Sequence, residues 1–169
     1  MRRVLDLLYD GAAWLAALAM IGVLLMVLLS IISRQVGFHV PGTDAYAGYS
    51  MAAAGFLALA HTLKRNEHIR VTLILGRLKG RARHGLEMWA LSAAVLLSGL
   101  FAFYAVRLSW VSHTFNDIST ASDATRLWIP QLAMAAGTII LFIAFVDDWL
   151  LQLRGRRPTG EPAEALRNE

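Results

Sequence analysis

No cysteine occurs among the 169 residues, which excludes disulfides, thiolate catalysis and cysteine-ligated metals. Ionisable residues are missing from the middle of every long apolar run, and inside a membrane such residues normally mark ion paths, proton relays or substrate sites. No strand, glycine-rich loop and helix follow one another as a phosphate-binding motif. No serine, histidine and aspartate set can be assembled on one membrane face. Spans interrupted in pairs by glycine or proline, the mark of broken transporter helices, are absent, and no inverted repeat is visible. These absences argue against an enzyme and against a pore or carrier made by this chain alone.

Histidine is scarce in the same informative way. His61 sits near one end of an apolar run, His39 and His113 lie in connections on the opposite side, and His68 and His84 lie in a polar segment. No second histidine shares the depth of His61, so a haem held between two imidazoles has no ligand pair. Zinc at His61 and His68 lacks the further ligands it needs. No cofactor and no metal are expected.

What is present is apolar: 57% of the residues are hydrophobic, with a mean hydropathy of +0.52, too apolar for an ordinary soluble domain. Four runs, approximately 12–33, 46–63, 86–110 and 129–151, carry it. Runs of about 20 apolar residues cover a hydrocarbon core of ~30 Å as helices. The expected fold is an all-α membrane protein of four transmembrane helices, a single domain over 1–153, followed by a disordered cytoplasmic tail over 154–169. The first run is too long for a signal-peptide core of about 7–15 residues, and Gly37-Phe38-His39 is no cleavage pattern, so it is expected to be retained.

The positive charges fall on one side. Arg2 and Arg3 precede the first run. Lys64, Arg65, Arg70, Arg77, Lys79, Arg81 and Arg83 separate the second from the third, and Arg154, Arg156, Arg157 and Arg167 follow the fourth. The other two connections hold only Arg34, and Arg107 with Arg126. Basic residues near helix ends stay cytoplasmic, which places both termini and the middle connection inside. The basic balance, with a pI near 10.0, is explained by anionic phospholipid headgroups; no nucleic-acid partner is implied.

Residues 66–84 are too polar to span and too apolar for a free loop. Arg70, Arg77 and His84 recur seven apart beside an apolar side formed by Ile69, Leu73 and Leu75 or by Val71, Ile74 and Leu78, which predicts an amphipathic interfacial helix. Trp89 and Trp110 bracket the third run and Trp128 and Trp149 the fourth. Each pair is 21 residues apart (89 to 110, 128 to 149), about 32 Å of helix. Tryptophan prefers the headgroup boundary, so Arg70, Arg77, Arg81, Trp89 and Trp149 are the candidate interfacial residues.

The second run has its own texture. Ala45, Ala47, Gly48, Ser50, Ala52, Ala53, Ala54, Gly55, Ala58 and Ala60 let another backbone approach closely. Thr43 or Asp44 can cap its start. Ala133 and Gly137 give the fourth run a similar face. Asp44, Gly48, Ala52, Gly55, Ala133 and Gly137 are therefore the candidate contacts with a partner subunit. Asp117, Asp123 and Arg126 on the outer side read equally as solvated loop residues or as docking points for an external protein.

The stretch GTDAYAGYSMAAAGFLALAHTLKRNEHIRVTLILGRL, with LWIPQLAMAAGT at the fourth run, resembles the small membrane subunit of tripartite ATP-independent periplasmic (TRAP) transporters, the DctQ-like group. The likeness extends from Arg34 to the fourth helix. Its most specific parts are the acidic start of helix two, His68-Ile69-Arg70-Val71, and Leu127-Trp128-Ile129-Pro130. Two positions depart from the family pattern: Ala45, where a second acid is common, and Thr72, where Asp is common. The resemblance implies an accessory, non-catalytic subunit of an importer of organic acids in the bacterial inner membrane. Its implied partners are a large elevator-type membrane subunit, which carries the sodium sites, and a periplasmic substrate-binding protein. The competing reading is a membrane anchor subunit of a respiratory-type enzyme complex.

Overall fold

The computed structural model describes residues 2–38, 40–64, 81–121 and 123–154. They form four helices: α1 (Arg2–Val36), α2 (Thr43–Lys64), α3 (Arg81–Thr114) and α4 (Trp128–Leu153). No β-strand occurs among them beyond an isolated antiparallel bridge between Ile118 and Arg126. The described residues are helical in every regular element, as the long apolar runs predict. By length and composition α1, α3 and α4 can cross a membrane. α2 falls short of that measure, because its glycines, tyrosines and hydroxyl residues, with His61, dilute its hydropathy.

The helices overrun the apolar runs that define them. α3 starts at Arg81 rather than near residue 86, so residues 81–84 of the expected interfacial segment belong to its first turn. Residues 66–80, including Arg70 and Arg77, lie outside the described residues, as does the tail from 155 onward. α1 is 35 residues long, about 52 Å, and its first turns extend past the apolar stretch.

Helix ends follow local chemistry. Gly37 has φ +76°, and the Phe38 N–H bonds back to the Ser33 carbonyl at 2.9 Å, the Schellman pattern that a glycine permits. Asn116 closes α3 in the same left-handed conformation, with φ 53° and the Asp117 N–H on the Ser112 carbonyl at 3.0 Å.

Packing runs in a row, α1 on α2, α2 on α4 and α4 on α3, with only slight contact between α1 and α4. α1 and α3, at the ends of this row, make no comparable contact among the described residues. α2 and α4 are thus the inner helices. They run in the same direction: the connection that precedes α4 meets the start of α2, and the end of α2 meets that of α4. A small apolar core of Tyr9, Ala60, Leu63, Leu141 and Ala144 forms where the start of α1 meets the ends of α2 and of α4. Elsewhere the large apolar side chains point outward: Leu18, Leu24, Leu25 and Ile32 on α1, and Leu96, Leu97 and Phe103 on α3, are all exposed. So much exposed apolar surface fits lipid or a partner, not water.

Candidate partner interface

α2 presents two opposed surfaces. Ala54, Leu57, Ala60 and Leu63 are buried against the neighbouring helices. Asp44, Gly48, Met51, Ala52 and Gly55, which share one face at helical spacing, are exposed. Met51 retains 67% of its surface, and a Cβ added at Gly48 or Gly55 would meet nothing within 4 Å. The smallest side chains of the helix therefore line an uncovered strip. Its first turn carries Asp44, whose carboxylate accepts from Ser30 Oγ at 3.2 Å and pairs with Arg34 at 3.5 Å. Thr43 and Asp44, the two capping candidates, both stand inside the helix, and Asp44 reaches across to α1 instead.

Gly137 is placed differently. A Cβ there would stand 2.5 Å from the Phe56 carbonyl oxygen and 2.6 Å from its carbon. Its lack of a side chain lets α4 cross α2 within this chain. Ala133, one turn earlier, is half-buried. The two small-residue stretches singled out from the sequence thus have separate surroundings: the α2 strip is open, and the α4 glycine is filled by the chain itself.

The connection between α3 and α4 folds down on the start of α2. Tyr49 Oη donates to Asp123 Oδ2 at 3.2 Å and lies 2.9 Å from Ser119 Oγ, and Thr125 Oγ1 and Tyr46 Oη are hydrogen-bonded at 3.0 Å. The loop is further tied by Ser119 N–H to Thr125 O at 2.8 Å and Leu127 N–H to Asp117 O at 3.0 Å. Gly42, at φ +83°, lies so close to Asp123 that a Cβ would meet that residue's Cβ at 2.7 Å. Hydrogen bonding by Thr125 holds the Asp123 carboxyl below the usual carboxylate range, with smaller help from Ser119 and Tyr49, against partial desolvation that would raise it. Of the three candidate docking residues, Asp117 and Arg126 are exposed, whereas Asp123 is partly buried and engaged within the loop.

A polar knot, not singled out from the sequence, joins three helices at their other ends. Lys64 Nζ, at the last residue of α2, bonds Asp147 Oδ2 and lies 3.0 Å from Asp148 Oδ1 on α4. It also sits 5.3 Å from the centre of the Tyr9 ring on α1, and His61 lies 3.6 Å from Asp10. Because α2 and α4 pack side by side in the same direction, the lysine closing α2 and the acids near the end of α4 come to one depth; the residue types allow the pairing, and the adjacency of the two helices makes it. Replacing Lys64 by methionine takes the cation from a partly buried Asp147 and a buried Asp148 and should cost about 3 kcal/mol. Adding Asp147→Leu and Asp148→Leu should recover most of that loss. Thermal unfolding of the detergent-solubilised chain reads both; an unchanged melting temperature for Lys64→Met would show that the knot contributes nothing.

On the α3–α4 side, Trp149 Nε1 donates to Ser92 Oγ at 3.0 Å, and Gln152 Nε2 donates to Glu87 Oε2 at 3.1 Å. Trp89 is exposed. Of the interfacial arginines only Arg81 falls within the described residues, at the start of α3.

A search with family models matches residues 23–155 to the family described as tripartite ATP-independent periplasmic transporters, DctQ component. No curated protein matches the chain.

Proposed function

The chain belongs to the DctQ-component family of tripartite ATP-independent periplasmic transporters, and from that premise we propose that it is the small, non-catalytic membrane subunit of a sodium-coupled importer of organic acids. Its task is to brace the large elevator-type subunit, which carries solute and sodium. In this reading α2 is the fourth span, completed by the partner, and both termini lie in the cytoplasm, as the arginine-rich segments require. The basic segment with Arg70, Arg77 and Arg81 meets anionic headgroups of the inner membrane. Asp117 and Arg126, the exposed charges of the outer loop, are its contacts with the periplasmic binding protein, while Asp123 shapes the loop they stand on. The respiratory-anchor alternative finds no support in the family match.

The observation that carries the proposal is the uncovered strip of Gly48, Ala52 and Gly55. Lipid gains little from so flat a surface, whereas a helix packs on it closely. Proteoliposomes holding the large subunit, supplied with binding protein and a sodium gradient, test the role with a panel of carboxylates. Uptake is expected only when this chain is included. Equal uptake without it would overturn the assignment.

A further inference from the structure

A polar pocket of about 250 Å³ lies where the end of α1 meets the start of α2, with Ala121 from the α3–α4 connection in its wall. The pocket carries both signs of charge. Arg34 and Asp44 stand 3.5 Å apart, with 71% and 80% of their side chains exposed. That exceeds the ~2.7–2.9 Å of a charge-assisted hydrogen bond, so both groups keep most of their bonding capacity. Ser30 Oγ occupies only one oxygen of the Asp44 carboxylate.

The start of α2 adds donors. The Tyr46 N–H is bonded back to the Gly42 carbonyl at 3.0 Å, while the N–H groups before it have no partner within the helix. Thr43 and Asp44 stand inside the helix, and Gly42 has no side chain with which to cap it. Thr43 is only 6% exposed and lines the pocket, yet its hydroxyl makes no hydrogen bond among the described residues. Buried polar groups are normally satisfied, so this hydroxyl marks a place for a polar ligand. That ligand carries both charges. Asp44, with Asp123 beside Gly42, disfavours a bare anion; Arg34 and the positive end of α2 disfavour a bare cation.

Position then selects a lipid. Val27 and Ile31 share the face of Arg34 at helical spacing and are exposed, on a helix able to cross a membrane. Trp110, exposed near the end of α3, belongs to the same end of the molecule, and tryptophan favours the headgroup boundary. The pocket therefore stands at headgroup depth, next to open apolar surface.

We propose that this pocket holds the head of one zwitterionic ethanolamine phospholipid. Its phosphodiester meets Arg34, Thr43 and the first N–H groups of α2, its ammonium meets Asp44, and an acyl chain runs along Ile31 and Val27. The small-residue strip of α2 stays open to the partner, and the site does not depend on the transporter assignment.

The test uses the full chain, delipidated in mild detergent and given equal phosphatidylethanolamine and phosphatidylglycerol under native mass spectrometry. One phosphatidylethanolamine should survive collision energies that strip all phosphatidylglycerol. Asp44→Asn should bring the two lipids to equal retention, Asp44→Glu should keep the preference, and Arg34→Gln should weaken both. Asp6→Asn, the same change on an exposed acid at the opposite end of α1, should alter nothing. No retained lipid in wild type, or an Asp44→Asn protein that keeps the preference, overturns the site. Soluble glycerophosphoethanolamine offers the same head without acyl chains and should displace little lipid at equal concentration; equal binding would overturn the lipid as occupant. A phosphatidylethanolamine with a photoreactive acyl chain tests the wild-type chain directly. Cross-links should concentrate on Val27 and Ile31, and an even spread over α1 and α3 would equally overturn it.

Discussion

Replacing Gly48 and Ala52 together by leucine is expected to release the chain from its large partner while leaving its own fold intact. Nothing lies within 4 Å of a Cβ at Gly48, and Ala52 is exposed, so both new side chains enter open space in the isolated subunit. Leucine is also a better helix former than glycine by nearly ~1 kcal/mol. The thermal unfolding of the purified double variant should therefore equal or exceed that of wild type. In the complex the same leucines stand where a helix backbone is meant to approach. Overpacking costs about 1–3 kcal/mol per site, so two sites should weaken association at least about thirtyfold. Co-purification with the tagged large subunit, beside melting of the chain alone, reads the two effects separately. A double variant that still co-purifies at wild-type yield would move the interface off this strip.

Substituting Gly137 should do the reverse. There a Cβ would meet the backbone of Phe56 at 2.5 and 2.6 Å. A carbonyl cannot rotate aside as a side-chain tip can, so α2 and α4 must separate. Their separation also disturbs the Phe56–Phe101 ring contact, at 5.9 Å, and the Lys64 bridges to Asp147 and Asp148 at the far end of the same helix pair. Gly137→Ala should cost about 1–3 kcal/mol, or several degrees of melting temperature for a chain of this size. Gly137→Leu should leave little folded protein. Gly55→Ala serves as the control, having nothing within 4 Å of the added Cβ, and should be neutral or slightly stabilising. Should Gly137→Ala melt with Gly55→Ala, the crossing of α2 and α4 is not as described.

These two glycines show where reading the chain alone stops. Gly48 with Ala52 and Ala133 with Gly137 are the same pattern, two small residues four apart, and both were candidate partner contacts. Periodicity says that a close approach is possible but cannot say by what. In the fold, α4 uses Gly137 to meet α2, and the strip on α2 faces away. Asp123 is a similar case. As a loop acid it looked like Asp117, yet Tyr49, 74 residues away in sequence, joins its loop neighbours Ser119 and Thr125 in drawing it inward.

The amino-acid sequence by itself determined that the chain is helical, apolar and asymmetric in charge. Helix periodicity, run length and the placement of arginine are local properties, so they can be read without knowing which helix touches which. It also carried the family, through short motifs whose order is linear. The tertiary structure alone decided that α2 and α4 are the inner helices, and that Lys64 meets Asp147 and Asp148 across more than 80 residues. It decided as well which small residues are covered. Those facts depend on the relative rotation and depth of helices, which are set by the fit of all four surfaces at once and not by any one segment.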